Sequence, residues 1–196
     1  FLARTTALLY FINNIEDEVA YERARKSLLP NAAIFVVLFV AYVVFLMVTK
    51  GYDVDPATGA VSLVQYKYLH NFLAMPVILV LFLVGVVLVL AGVILTLVKK
   101  GFRKGIWLEG VGVVLAVLGL LLILGYNNTA YYPSIADINS SLTIQNSSSS
   151  PYTLKAMSIV SLLIPFVLAY IFYAWRAIDR KKITRHEMGQ DEEIKY

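Results

Sequence analysis

From Asn71 to Val98 the chain runs for 28 residues without one ionisable side chain, then meets Lys99, Lys100, Arg103 and Lys104. The hydrocarbon core of a bilayer is about 30 Å thick, which takes roughly 20 helical residues to cross. A run of this length that ends in a basic cluster is a membrane span with room to tilt. Three further runs of the same character lie at about 31–49, 106–125 and 156–175. The expected fold class is therefore an all-α integral membrane protein: a four-helix transmembrane bundle, up-down because short connections make sequential helices neighbours. A preceding cytoplasmic amphipathic helix completes it.

Composition agrees: 59% of residues are hydrophobic and 15% charged, outside the averages for soluble domains. There is no Cys, which excludes disulfides, thiolate metal sites and c-type haem attachment. The net charge of +4 could suggest nucleic acid as a partner, but its distribution argues for topology instead. Fourteen of the 17 Lys and Arg residues fall in 1–30, 99–105 and 176–196, leaving Lys50, Lys67 and Lys155 for the other two connections. By the positive-inside rule both ends and the 99–105 connection face the cytoplasm. The lipid bilayer is the expected partner, with no nucleic acid. The chain opens on Phe1 without a signal-peptide pattern, so it reads as a C-terminal portion of something longer.

This gives three parts: a cytoplasmic linker at 1–30, a membrane bundle at 31–178 with outer loops 50–70 and 126–155, and a cytoplasmic tail at 179–196. In the linker, Leu8, Ile12, Ile15 and Val19 recur at helical spacing with acids on other faces, the pattern of an amphipathic helix. Pro30 is expected to open the first span. Pro76 and Pro165 lie inside the second and fourth spans and are expected to kink them. Asp55-Pro56-Ala57-Thr58-Gly59 has turn composition, and Val61–Tyr68 alternates like a short strand, suggesting a small hairpin. Gly85 and Gly92 share one helix face and Gly112 and Gly119 another. In lipid, such small-residue faces let helices approach closely. Residues 126–155 are rich in Asn and Ser yet carry Tyr131, Tyr132, Ile135, Leu142 and Ile144, too much apolar content for a tether. An ordered cap that meets neighbouring protein is expected. Asn127, Asn139 and Asn146 match glycosylation acceptors, which would carry no meaning in a bacterial protein.

Little chemistry is on offer. No nucleotide loop, nucleophile constellation, carboxylate pair or zinc spacing is present, so no catalytic, cofactor-binding or metal-binding residue is assigned. His70 at the mouth of the second span reads as an interfacial polar residue rather than a haem ligand, and His186 as a solvated tail residue. Glu109 is the one acid inside a span. Its place near the start of a helix, beside the basic connection, points to interfacial anchoring, with proton handling as the alternative.

The segment GYNNTAYYPSIADINSSLTIQNSSSSPYTLKAMS, followed by an apolar run and WRAIDRKKI, closely resembles the C-terminal end of subunit II of the cytochrome bd quinol oxidase family. MPVILVLFLVGVVLVL and RARKSLLPN look like segments of the same family. The resemblance covers most of the chain and is nearest to bacterial versions. It implies eight spans in two four-helix bundles, of which these four would be the second. It further implies a plasma-membrane location and a subunit I that carries haem b, haem d and the quinol-oxidising loop. The chain itself would bind no cofactor and serve as scaffold and partner, within a complex that passes electrons from quinol to oxygen. The alternative reading is a free-standing four-span scaffold or a partial transporter bundle. A transporter would be expected to place polar residues or broken helices near the bilayer midplane.

Overall fold

The computed structural model describes residues 1–178; the expected tail 179–196, with His186, lies outside the described residues. Among the described residues, four helical segments are long and apolar enough to cross a membrane. They are α2 (Glu18–Val48), α4 (Pro76–Val98), α5 (Gly105–Gly125) and a fourth made of α7 (Pro151–Ser161) and α8 (Ile164–Ile178). Helix α1 (Leu2–Asn14) precedes them. The hairpin β1 (Gly51–Val54) and β2 (Val61–Val64), with α3 (Lys67–Ala74), lies between α2 and α4. The short α6 (Ile144–Ser147) lies in the long connection after α5.

The helix boundaries follow from caps and prolines. Asp17 accepts a hydrogen bond from the Ala20 amide (2.9 Å) and so starts α2 at Glu18 rather than at Pro30. The first span is thus 31 residues long and runs unbroken through Pro30. Residues 18–29 are helical because Tyr21, Ala24 and Leu28 bury against Leu9 and Ile12 of α1. At Met75 the backbone leaves the helical region (φ −121°, ψ 71°), the restriction a following proline imposes. Pro76 becomes the first residue of α4, a position where its missing N–H costs nothing. The run 71–98 is therefore two helices rather than one kinked span. Pro165 acts more mildly: it is the second residue of α8, Leu162 before it keeps helical dihedrals (φ −64°, ψ −19°), and Pro151–Ile178 remains one 28-residue span interrupted between Ser161 and Ile164.

The expected linker helix is present but does not stand apart. The chain reverses at Ile15–Asp17, and α1 folds back along α2 and α5. The buried set is Thr5, Leu9 and Ile12, while Val19 stays half exposed. The amphipathic stripe broke because Asp17 caps a new helix in its middle.

The closest helix pair is α4 on α5, and the two glycine faces make it so. A Cβ on Gly112 would lie 2.6 Å from the Gly85 carbonyl oxygen and 2.7 Å from the Val89 nitrogen. One on Gly92 would lie 2.7 Å from the Gly105 carbonyl oxygen, and one on Gly119 2.9 Å from Phe82 Cβ. Backbone touches backbone along the whole contact. Two cores flank it. One, at the end that carries the Lys99–Lys104 connection (the basic end), joins Leu9, Ile12, Leu28 and Val93. The other, at the opposite end, joins Leu46, Tyr68, Phe72, Phe82 and Ile123. The fourth span contributes no buried residue. It contains no glycine.

The hairpin is antiparallel, pairing Gly51 with Val64 and Val54 with Val61. Its strand ends at Val64 rather than at Tyr68, because Tyr66 takes a left-handed conformation (φ 59°) that opens α3. In the turn, Asp55 accepts from the Ala57 amide (3.0 Å) and the Thr58 hydroxyl (2.7 Å), with Gly59 at φ 72°. These bonds, the Thr58 hydroxyl foremost, hold the Asp55 carboxyl below its ordinary value. A depressed carboxylate adds stability above its unfolded pKa, and that stability is lost as pH falls through the folded pKa. The turn is thus expected to loosen only in strong acid. Amide exchange at Ala57 and Gly59 measures this, and Asp55→Asn should abolish the pH dependence.

Candidate functional site

Buried polar side chains cluster at the two ends of the bundle, and each cluster is assembled from distant parts of the sequence. At the basic end the centre is Glu109. It lies in the second turn of α5 and is fully buried, beneath α1. Thr6 Oγ1 lies 2.6 Å from Glu109 Oε1 and 3.2 Å from the carbonyl oxygen of Leu2. Glu109 Oε2 is buried without a hydrogen-bond partner. Sequence position suggested interfacial anchoring for this residue; α1 covers it instead, so it does not reach the interface. Next to it, Thr96 donates back to the Gly92 carbonyl (2.7 Å).

Two arginines close this end. Arg25 donates to the carbonyl of Thr96 (3.3 Å) and to that of Leu97, satisfying acceptors that the C-terminus of α4 leaves free. Arg103 donates to the Ile15 carbonyl (2.7 Å) and stacks 5.3 Å from the centre of the Tyr21 ring, a cation–π contact. The Tyr21 hydroxyl in turn accepts from the Gly101 amide (3.2 Å). These contacts fasten the α1–α2 turn to the α4–α5 connection.

At the opposite end the centre is Asn71, fully buried on α3. Its amide nitrogen donates to the Ile123 carbonyl (2.7 Å) and to Thr129 Oγ1 (2.9 Å). Its oxygen accepts from Asn127 (2.9 Å). Beside it Lys67, also buried, pairs with Asp53 and donates to the Asn127 carbonyl (2.8 Å). Asn127 and Asn128 take the left-handed conformation (φ 57° and 52°), which asparagine tolerates. The chain is thereby turned onto the hairpin, where Val54 N–H donates to Asn128 and Ala130 N–H to Tyr52.

The connection 126–150 is closed on itself. Tyr132 and Leu142 form an isolated bridge, Thr143 and Asn146 cap α6 reciprocally, and Asn139 accepts from the Val61 amide (3.0 Å). All three candidate glycosylation asparagines are thus spent on internal hydrogen bonds. Order is as expected; the packing of the apolar residues is only in part. Ile144 and Tyr131 approach Gly125 at the end of α5, but Tyr132 is 67% and Ile135 fully exposed. His70 is exposed too. Among the described residues no three His, Cys, Asp or Glu side chains come together as a metal site would need.

Neither polar cluster was legible as a unit in sequence, because Thr6 with Glu109 and Asn71 with Asn127 are 103 and 56 residues apart. The one available signal was an acid within an apolar span.

The arrangement is that of a glycine-packed membrane core with polar fastenings at each end and an ordered cap. The family model for cytochrome bd terminal oxidase subunit II matches residues 1–178. The chain belongs to that family. No curated protein matches it. The match spans α1 through α8. As a family member with four candidate spans, the chain is a multi-pass membrane protein and a component of an oxidase assembly.

Proposed function

We propose that this chain is part of the non-haem subunit of a bd-type quinol:oxygen oxidoreductase, where it acts as scaffold and docking partner for a haem-bearing subunit I. The observation that carries the reading is the capping connection: its backbone is fixed by internal bonds while Tyr132 and Ile135 remain exposed. Ordered apolar side chains facing away from their own core mark a surface that meets another protein. On this reading haem b and haem d are carried by the partner and quinol is the substrate of the complex, in keeping with the family match. The basic distribution supports a topology with both ends of the chain, and the Lys99–Lys104 connection, on the cytoplasmic side of a bacterial plasma membrane. A transporter reading is disfavoured because the buried polar groups of the spans lie at their ends, with Gly85, Val89, Ala116 and Phe82 between them.

The test is co-purification. Burying an aliphatic or aromatic side chain of this size is worth roughly 1.5–3 kcal/mol, so changing Tyr132 and Ile135 together to serine should weaken assembly by at least about 100-fold. Recovery of the haem-bearing subunit with the double variant should fall sharply while membrane insertion of the chain is unchanged. Undiminished recovery would refute the docking role.

A further inference from the structure

We propose that Glu109 and Thr6 form a buried proton-binding site, in which a proton on Glu109 Oε1 is donated to Thr6 Oγ1. The argument is a count of hydrogens. The Thr6 hydroxyl has a single proton, yet Oγ1 lies within hydrogen-bond distance of two acceptors, Leu2 carbonyl oxygen at 3.2 Å and Glu109 Oε1 at 2.6 Å. A threonine hydroxyl can donate once and accept twice. With one further proton, on Oε1, the contacts form a chain: the carboxyl O–H donates to Thr6, and Thr6 donates to Leu2. Oε2 is then the carbonyl oxygen of a carboxylic acid, a far smaller burden for a fully buried and unpartnered atom than a share of a carboxylate charge.

Among the described residues Glu109 makes no salt bridge. On α1 the ionisable groups are Arg4 and Tyr10, both exposed. From Pro76 to Val98, α4 has none, and Glu109 is the one ionisable residue of α5. Arg25 of α2 is spent on the carbonyls of Thr96 and Leu97, and Arg103 on Ile15 and the Tyr21 ring. Lys104, which precedes α5, is exposed. Acids inside membrane proteins are rare and mark functional sites, proton relays among them. Uptake transfers a proton from hydronium to Oε1 and leaves water; release is the reverse, and no electron moves. The site does not depend on the docking role argued above, and its test uses this chain alone.

The full chain is reconstituted in lipid vesicles at neutral pH and its infrared spectrum recorded in H2O and in D2O. The expected result is a deuterium-sensitive carboxylic-acid C=O band that is lost in Glu109→Gln and displaced in Thr6→Val. A band that survives in Glu109→Gln, or no carboxylic-acid band in the parent chain, would overturn the proposal. Should Glu109→Gln fail to fold, Thr6→Val decides alone: a displaced band upholds the shared proton and an unmoved one refutes it.

Discussion

Changing Gly112 to alanine is expected to cost the protein about 1–3 kcal/mol of stability, the range for overfilling a well-packed contact, and leucine there should cost more. The added methyl would sit 2.6 Å from a carbonyl oxygen and 2.7 Å from an amide nitrogen of α4. Neither is the end of a flexible side chain, so the strain is relieved only if α4 and α5 move apart. In lipid that separation forfeits the van der Waals contact that drives helix association, since lipid tails are as apolar as the side chains they replace. Gly110 provides the comparison. It lies on the same helix, two residues away, and a Cβ there would meet nothing within 4 Å. Gly110→Ala should be neutral or slightly stabilising, because alanine is the better helix former by roughly 1 kcal/mol. Unfolding in mixed micelles, followed by circular dichroism, measures both. Equal stability of the two variants would mean that the glycine contact does not hold the pair together.

That contact could be read from sequence because it depends on local pattern. Glycines seven residues apart share a helix face wherever the helix goes, and an apolar run as long as Pro76–Val98 crosses a bilayer whatever it packs against. The hairpin was legible for the same reason, since Asp55 to Gly59 makes its own turn. What sequence could not supply was contact between distant elements. The stripe Leu8, Ile12, Ile15 and Val19 has helical spacing, yet a single cap at Asp17 divides it and moves the buried face to Thr5, Leu9 and Ile12. Glu109 sits near a helix start, where water is usually within reach; only the return of α1 buries it. Prolines were visible in the sequence, but whether Pro30, Pro76 or Pro165 kinks, breaks or does nothing depends on packing. At Pro30 the helix continues because residues on both sides of it are held against α1 and α4. At Pro76 the buried Asn71 and Phe72 commit α3 to the opposite end before α4 begins.

Replacing Asn71 with leucine, close in size but without the amide, is expected to release the start of the capping connection. Asn71 joins the end of α5 to the residues that follow it. It satisfies the Ile123 carbonyl, which the helix leaves free, and it bonds Thr129 and Asn127. Each buried group deprived of its partner costs about 1–3 kcal/mol, and Asn71 serves three. The left-handed pair Asn127–Asn128 would lose one of its supports, and the bridges from Asn128 to Val54 and from Ala130 to Tyr52 should open more often. Hydrogen exchange read on a peptide covering 126–132 would then rise by about tenfold for each 1.4 kcal/mol lost, while exchange within α4 and α5 stays slow. Asn71→Asp keeps the acceptor for Asn127 and removes the donors to Ile123 and Thr129, so it should fall between the parent and leucine. His70→Ala, at the exposed neighbouring position, should change nothing. If Asn71→Leu leaves exchange at 126–132 at its original rate, the connection is held by the hairpin backbone and the Lys67–Asp53 pair, and the buried amide is dispensable.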